Sequence, residues 1–393
     1  MNQQEISGYF DYNATTPVSG AVAEKMVASL SAFFNASSSS KQAQVNKAML
    51  QKARESVAQL LNCRPEQVAF TSGGSEANNW AIKGGLLPYT RTPGHIITTA
   101  IEHPSVLETV SYLERAFGFE ITRLKPRGNG AVSLADLEAS VQDNTQLISV
   151  MYANNETGVI QPVNEIAAFA RNHGIQCHVD AVQVVGKHAV DVEALGADYV
   201  SCSAHKFYGP KGVGCLYIRE PEALEPLIHG GGQEMGMRAG TENLMAIAGM
   251  AQAAEDCIKF VDQWNDHYAV CKVHLIEKLR QLPLEILFNG DASTAGAVSN
   301  TLNFSIQGVR GEALSALLDR KYGIQVSIGS ACSNNDKRKQ HSHVLTAMDL
   351  DEQRIQGALR VSFGRYTELS DIDNFVLQLE CCTEKLLAMS SVV

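Results

Sequence analysis

Residues 176–206 read QCHVDAVQVVGKHAVDVEALGADYVSCSAHK, and they contain two short β-branched runs, at 176–181 and 198–204. Similar short apolar runs lie on either side, at 67–71, 95–100, 119–124, 147–153 and 213–218. Stretches with helical periodicity, such as residues 165–173, separate the runs. Repeated strand–helix–strand units predict an α/β fold in which helices cover both faces of a mainly parallel sheet.

The composition excludes several classes of protein. The 393 residues are 45% hydrophobic and 19% charged, which is typical of globular chains rather than disordered ones. A net charge of −10 argues against direct nucleic-acid binding through bulk charge. No signal sequence and no 18-residue apolar run occurs, so we expect no membrane insertion. Nine cysteines without a CxxC pair favour a cytoplasmic location over a disulfide framework.

The pattern of the chain changes near residue 246, where a long helix-compatible stretch leads into a second set of strand-like and helical segments. These segments predict a second, smaller α/β domain. We expect an N-terminal arm at residues 1–20 that associates with the small domain, and a large domain at residues 21–255. The small C-terminal domain is expected at residues 256–393 and carries Cys332.

A glycine turn follows the first predicted strand, in the segment FTSGGSEANN at residues 70–79. Gly73 and Gly74 would let the backbone approach a ligand closely, and the helix that follows would offer unpaired N–H groups to an anion. Ser75 would add a hydroxyl group. The turn therefore indicates either a phosphate site or an ordinary structural turn, since glycine-rich turns between strands and helices are common.

A carboxylate and an amine close two adjacent predicted strands. Asp180 ends one strand and Lys206 ends the next, so both side chains should meet at the edge where open α/β sheets bind ligands. These are the two groups that pyridoxal phosphate needs, an amine for the Schiff base and a partner for the pyridinium nitrogen. Ser203 and His205 lie on one side of the chain and could both meet a phosphate.

Two alternatives remain for these strand ends. Asp180 and Lys206 could form a buried ion pair, with His205 as a core histidine. A zinc site built from Cys177, His178, Cys202 and His205 is disfavoured, because adjacent strand residues such as Cys177 and His178 point to opposite faces. We therefore expect no metal at this edge.

Eight segments match a known family in chain order: DYNATTP at 11–17, GGSEANN at 73–79, EHPS at 102–105, NNETG at 154–158, HVDAVQ at 178–183, SAHKFYGPKG at 203–212, GMRAGT at 236–241 and GSAC at 329–332. RVSFGR at 360–365 also matches. With these segments the chain resembles the group I cysteine desulfurases, the IscS/NifS-like members of the class V aminotransferase family. The resemblance covers nearly the whole chain.

The resemblance implies a fold-type I pyridoxal 5'-phosphate enzyme with a seven-stranded sheet, a homodimer that takes sulfur from L-cysteine and leaves L-alanine. It assigns Lys206 as the Schiff-base lysine and Asp180 as the partner of the pyridinium nitrogen. Gln183 matches the partner of the ring oxygen, and His103 matches the residue stacked on the ring. The resemblance assigns the remaining cofactor and substrate contacts to other positions: Gly74, Ser75, Ser203 and His205 to the phosphate cup, Thr241 to the cup of the other subunit, and Asn154 and Arg360 to the substrate carboxylate.

Cys332 matches the nucleophile that becomes a persulfide. The eleven residues that follow it, 333–343, are all polar and include the basic triplet Lys337, Arg338 and Lys339. Such a cysteine is expected to be exposed and mobile, and the basic residues would favour its thiolate. On the residues alone it could also be an ordinary loop cysteine, or part of a metal site with His341 and His343 that lacks a fourth ligand.

The chain departs from the family where residues 34–41 read FNASSSSK, because the usual proline and histidine of that segment are missing. The sulfur acceptor is expected to be a protein, but its pathway stays open among iron–sulfur scaffolds, tRNA thiolation and DNA sulfur modification. Selenocysteine lyase or aminotransferase chemistry on the same cofactor is the first alternative function. A catalytically inactive binding subunit is the second.

Overall fold

The computed structural model describes residues 6–89, 92–329 and 341–390. Seven strands form the main sheet: β1 Val68–Thr71, β2 His95–Thr99, β3 Glu120–Leu124, β4 Thr145–Met151, β5 Gln176–Asp180, β6 Tyr199–Ser203 and β7 Gly214–Ile218. They lie in the order β1-β7-β6-β5-β4-β2-β3. Strand β7 is antiparallel to β1 and β6, and the other neighbouring pairs are parallel. The predicted mainly parallel α/β sheet is confirmed.

The apolar runs in the sequence reflect burial of the central strands on both faces. Every residue of β2, β6 and β7 is buried, as a parallel sheet covered by helices requires. Strand β3 lies at one edge, and its Glu120 and Arg123 are exposed. The described chain contains no helix that is both long enough and apolar enough to cross a bilayer.

Helices surround this sheet and continue into the second unit. Their bounds are α1 Gly20–Ser29, α2 Lys41–Leu61, α3 Gly74–Leu86, α4 Pro104–Phe117, α5 Leu134–Ser140, α6 Val163–Asn172, α7 Val192–Leu195, α8 Leu244–Gln281, α9 Gly311–Tyr322, α10 His343–Ala347, α11 Glu352–Gln356 and α12 Leu369–Ser390. Side-chain caps begin several of them; Ser40 caps α2, and Asn243 caps α8. The 38-residue helix α8 packs against α1, α2 and α12.

A second, smaller sheet contains β8 Ile286–Phe288, β9 Thr301–Ile306 and β10 Ala358–Ser362, all antiparallel. This sheet, with α9 packed on β10 and α12 packed on α9, confirms the smaller C-terminal α/β unit. The N-terminal segment joins that unit, because Tyr9 bridges to Gln325 and Asp11 bridges to Ser362. The expected boundary at residue 255 falls inside α8, and the division into an arm and two domains stays a prediction.

Candidate active site

A cavity of about 270 Å³ opens at the carboxyl ends of β5 and β6, beside the start of α3. Eight of the predicted site residues line it: Gly74, Ser75, His103, Asp180, Gln183, Ser203, His205 and Lys206. Strands β1, β5 and β6 run in the same direction, so the segments that follow them meet at one edge of the sheet. This common strand direction explains why residues far apart in sequence share the cavity.

The glycine turn forms one wall of the cavity. A side chain at Gly74 would place its Cβ 2.7 Å from Cγ2 of Val182, so only glycine lets α3 begin this close to β5. Helix α3 is 13 residues long, and its unpaired N–H groups at Gly74 and Ser75 face the cavity side. With Ser203 opposite, the turn offers amide and hydroxyl donors that fit a phosphate group.

Asp180 is held by two donors from different elements. Its Oδ2 accepts a 2.7 Å hydrogen bond from Asn78 Nδ2, and its Oδ1 accepts a 3.0 Å bond from the amide of Val182. Asn78 also lines the cavity, and its Oδ1 is buried without a hydrogen-bond partner among the described residues. A carboxylate with spare lone pairs beside an unsatisfied buried oxygen fits the protonated ring nitrogen of pyridoxal phosphate.

Lys206 reaches the cavity from a short 3₁₀ turn, Ala204–Lys206, that follows β6 directly. Its Nζ donates to the backbone carbonyls of Asn13, at 2.5 Å, and Ala14, at 2.9 Å. Gln183 Nε2 donates to the same Asn13 carbonyl at 3.1 Å. The DYNATTP segment therefore brings the amine of Lys206 and the amide of Gln183 together.

His103 is the N-cap of α4, and this role determines which ring nitrogen carries its proton. The backbone N–H of Ser105 donates to Nδ1 at 3.1 Å, so the neutral ring carries its proton on Nε2. Burial lowers the pKa of His103; the charge of Asp180 acts in the opposite direction, and Lys206 lowers it further. His103 therefore enters the cavity as a neutral N–H donor.

His205 is neutral for a related reason. Burial lowers its pKa to about 4, and the neighbouring charges of Lys206 and Lys211 act in the same direction. Its Nδ1 lies 3.1 Å from the hydroxyl of Thr15. A neutral imidazole can still donate one N–H to an anion in the cavity.

The structure does not bring Asn154 to the cavity. Its Nδ2 donates to the carbonyl of Ile101 at 3.0 Å, and its Oδ1 accepts from the amides of Glu156 and Thr157, both at 2.9 Å. The neighbouring Asn155 lines the cavity instead. In this geometry Asn155, rather than the predicted Asn154, is placed to contact a ligand in the cavity, because the backbone groups of the turn occupy the Asn154 amide.

Arg360 lies beside the cavity rather than in its wall. It is on β10, only 4% exposed, and donates from Nη1 to the Asn155 carbonyl at 2.9 Å and from Nη2 to Asp11 Oδ1 at 2.5 Å. Its Nε has no hydrogen-bond partner in the part of the chain that the structure describes. A buried guanidinium with an unused donor could receive a substrate carboxylate.

The remaining predicted site residues are Thr241 and Cys332. Thr241 lines a separate cavity of about 210 Å³ together with Glu234 and Arg238. Cys332 and the triplet Lys337, Arg338 and Lys339 lie outside the described residues. The zinc interpretation has no support at His178, because its ring nitrogens bond the hydroxyls of serines 149 and 201.

Glu102 is a buried carboxyl next to the cavity that the sequence did not single out. Its Oε1 accepts from the Thr99 hydroxyl at 2.7 Å and from the Met151 amide at 2.9 Å, and burial raises its pKa to about 8. Between the ordinary pKa of 4.5 and about pH 8, Glu102 therefore keeps its proton in the folded state and loses it in the unfolded state. This carboxyl makes the free energy of unfolding fall as pH rises through that range.

We expect Glu102→Gln to remove that part of the pH dependence. The amide keeps an oxygen for Thr99 and Met151 and cannot ionise, so the melting temperature of the variant relative to wild type should rise between pH 5 and pH 8. Thermal unfolding at matched cofactor loading measures this difference. A melting-temperature difference that is constant over the range would show that Glu102 ionises equally in both states.

The chain matches a family model for class-V aminotransferases over residues 8–375. A cysteine desulfurase IscS of Dictyoglomus turgidum is 40% identical over 383 residues, which cover 97% of this chain and 96% of the relative. A solved NifS-like protein aligns with a TM-score of 0.88 at 37% identity, covering 96% of this chain and 99% of that one. A structure of SspA in complex with cysteine aligns with a TM-score of 0.81 at 35% identity, covering 92% and 100%.

Proposed function

This chain belongs to the class-V aminotransferase family, and we propose that it is a cysteine desulfurase that uses pyridoxal phosphate to convert L-cysteine to L-alanine. The observation that carries the proposal is the shared cavity of Asp180 and Lys206 beside the glycine turn. A carboxylate, an amine and an anion-binding helix start are the three groups that this cofactor requires.

Each side of the cavity has its own task in the proposed reaction. Pyridoxal phosphate, when bound, supplies an electron sink for the bond that breaks at the substrate Cα. Gly74, Ser75, Ser203 and His205 hold the phosphate through amide, hydroxyl and imidazole donors. Asp180, fixed by Asn78 and Val182, keeps the proton on the ring nitrogen.

Two further side chains move protons. Lys206 Nζ takes the proton from the substrate Cα, and the carbonyls of Asn13 and Ala14 keep this amine at the cavity. His103 presents its Nε2 proton to the sulfur that leaves, since Nδ1 is occupied by the Ser105 amide.

The substrate carboxylate is assigned to Arg360 together with Asn155, in place of Asn154. Arg360 offers a planar fork and an unused Nε, and it is tied to the cavity wall through the carbonyl of Asn155. Asp11 holds the guanidinium from the other side. The predicted role of Thr241 in the partner subunit's phosphate cup, and with it the homodimer, stays part of the proposal, because Thr241 lies outside the cavity of its own chain.

Sulfur is proposed to leave as a persulfide on Cys332. The thiolate attacks the substrate sulfur, so an S–S bond forms as the Cβ–S bond breaks and the bonding electrons stay with the amino acid. Protons added at Cβ and Cα complete L-alanine, and the enzyme keeps the sulfur as a persulfide on Cys332 for a protein acceptor. The described cysteines are all free thiols, which supports a reducing, cytoplasmic location. The acceptor stays open among an iron–sulfur scaffold, a tRNA-thiolation protein and a DNA sulfur-modification protein.

We expect Cys332→Ala to lower alanine release from L-cysteine by at least about 10²-fold, because the reaction loses its nucleophile. The bound cofactor should keep its visible absorbance, since Lys206 is intact. Cys381→Ala is the control, because Cys381 is a partly exposed free thiol on α12 and has no role in the proposed reaction.

Mass spectrometry after a single turnover should find one added sulfur on the wild type and none on Cys332→Ala. Undiminished alanine release by Cys332→Ala would overturn the persulfide step and favour lyase chemistry. Transfer of the amino group to a keto acid would favour an aminotransferase. A protein that binds no cofactor would favour the inactive binding subunit.

A further inference from the structure

Lys187 is a buried lysine that the proposed reaction does not use. It is 4% exposed and lies in the turns that follow β5, four residues after Gln183. Its Nζ donates to Gln183 Oε1 at 2.7 Å and to Asn13 Oδ1 at 3.2 Å. Within the described ranges these are its hydrogen-bond partners, and neither is charged.

The charges around Lys187 do not explain its burial. The charged groups that act on it are Lys206 and Arg360, and both repel a cation. The carboxylate of Asp11 is bonded to Arg360, and the neighbouring histidines, His188 and His205, have their pKa values lowered in part by the charge of Lys187. Burial lowers the pKa of Lys187 well below its ordinary value. Burying an amine among cations destabilises the fold, and the two hydrogen bonds to Gln183 and Asn13 offset part of that cost.

Those hydrogen bonds determine how the Gln183 amide is oriented. The oxygen of the amide faces Lys187, whose Nζ donates to it. The Asn13 carbonyl can only accept, so the nitrogen of the amide faces the other way. Asn13 is itself fixed, because its Nδ2 donates to Thr301 Oγ1 at 2.8 Å and to the carbonyl of Asn155 at 3.2 Å.

We propose that Lys187 is a positioning residue for the cofactor site, which orients the Gln183 amide so that its second N–H is offered to the ring oxygen of pyridoxal phosphate. This inference rests on the proposed function only for the identity of the cofactor. Without Lys187 the amide oxygen would be buried without a donor, and the amide could rotate to relieve it. The ring oxygen would then meet an oxygen instead of an N–H.

A hydrogen bond from an N–H stabilises the negative charge on the ring oxygen. The nitrogen that would join the ring to Lys206 then binds a proton less readily, so its pKa is lower. Lys187→Met keeps the length of the side chain and removes the donor. We expect this variant to raise the pH midpoint of the bound cofactor's visible absorbance by about one unit and to weaken cofactor binding about tenfold, the size of one lost hydrogen bond.

Lys272→Met is the matched control. Lys272 is also fully buried and also donates to neutral oxygens, the carbonyls of Ser293 at 3.2 Å and Val298 at 3.3 Å, but it does not line the cavity. This variant should lose stability in the same way while leaving the pH midpoint unchanged. Lys187→Leu replaces Lys187→Met if the latter does not fold. A leucine side chain also offers no donor to Gln183, so the same upward shift is expected.

A double-mutant cycle with Gln183→Ala decides whether Lys187 acts through that amide. Cofactor affinity and the absorbance midpoint are measured for wild type, each single variant and the double variant. If the inference is right, Lys187→Met changes neither quantity further once Gln183 is alanine. Additive effects, or a midpoint that Lys187→Met does not move, would overturn it. Failure of the proposed function gives a different result, namely absent alanine release from L-cysteine by a wild-type protein whose absorbance midpoint still depends on Lys187.

Discussion

Replacing Lys206 with alanine is expected to lower alanine release from L-cysteine by about 10⁴-fold, the upper end of what one proton-transferring side chain contributes. Lys206 is the one lysine among the described residues that line the cavity, and carbonyls of Asn13 and Ala14 hold its amine there. In the proposed reaction Lys206 both attaches the cofactor covalently and acts as the base at Cα, so we expect the variant to lose both functions. The visible absorbance of the purified protein should therefore disappear or change its pH dependence.

Lys211→Ala is the control for this result. Lys211 is exposed, lies five residues further along, and is near enough for its charge to lower the pKa of His205. The Lys211→Ala variant also loses one positive charge from this segment, but no residue that lines the cavity is changed. Turnover should therefore stay within about threefold of wild type. Turnover by Lys206→Ala within tenfold of wild type would refute the role of Lys206.

Asp180 and Lys206 could be located from the sequence because ligands bind where neighbouring parallel strands end, and the alternation of strand-like and helical segments predicts such strands. Asn78 and Lys187 were not singled out from the sequence. Asn78 lies within the GGSEANN segment, so its motif was visible, but its contact with Asp180 joins residues 102 positions apart. Lys187 followed a recognised segment by four residues, and only the fold shows that it is buried.

The resemblance assigned Asn154, whereas the structure places Asn155 at the cavity. In a strand the faces alternate and one side chain can be assigned from its neighbour, but these asparagines lie in the turn after β4. There the direction of each side chain depends on which backbone amides need an acceptor. Asn154 provides that acceptor for Glu156 and Thr157, which leaves Asn155 at the cavity.

A buried ion pair holds the segment that precedes Thr241. Arg54 on α2 and Glu234 are each 4% exposed, and both oxygens of Glu234 accept from the guanidinium, at 2.7 and 2.8 Å. Glu234 also accepts from the amide of Phe70 in β1 at 2.8 Å. Glu234 and Met235 have φ values of 48° and 59°, a left-handed conformation that costs about 1–3 kcal/mol for each residue other than glycine. The ion pair and the Phe70 bond therefore stabilise a backbone that the local sequence disfavours.

A second pair connects the same segment to the glycine turn. Arg238 donates to both oxygens of Glu76, at 2.9 and 3.1 Å, and Glu76 accepts from the amide of Ser72 at 2.8 Å. These contacts tie residues 234–238 to β1 and to the start of α3. Loosening the segment should therefore disturb both the stability of the large unit and the geometry of the turn that is proposed to hold the phosphate.

We expect Glu234→Gln to lower the free energy of unfolding by about 3–5 kcal/mol, because it leaves the Arg54 guanidinium buried without a counter-charge and weakens the support of the strained backbone. The control is Glu66→Gln, which breaks an exposed pair with Arg64 and should change stability by less than about 1 kcal/mol. Urea unfolding at fixed cofactor concentration measures both.

Arg54→Met combined with Glu234→Gln should cost less than the sum of the single changes, since no charge is left unpaired. Strict additivity would show that the two residues stabilise the fold independently, and the strained backbone would then need another explanation than the ion pair.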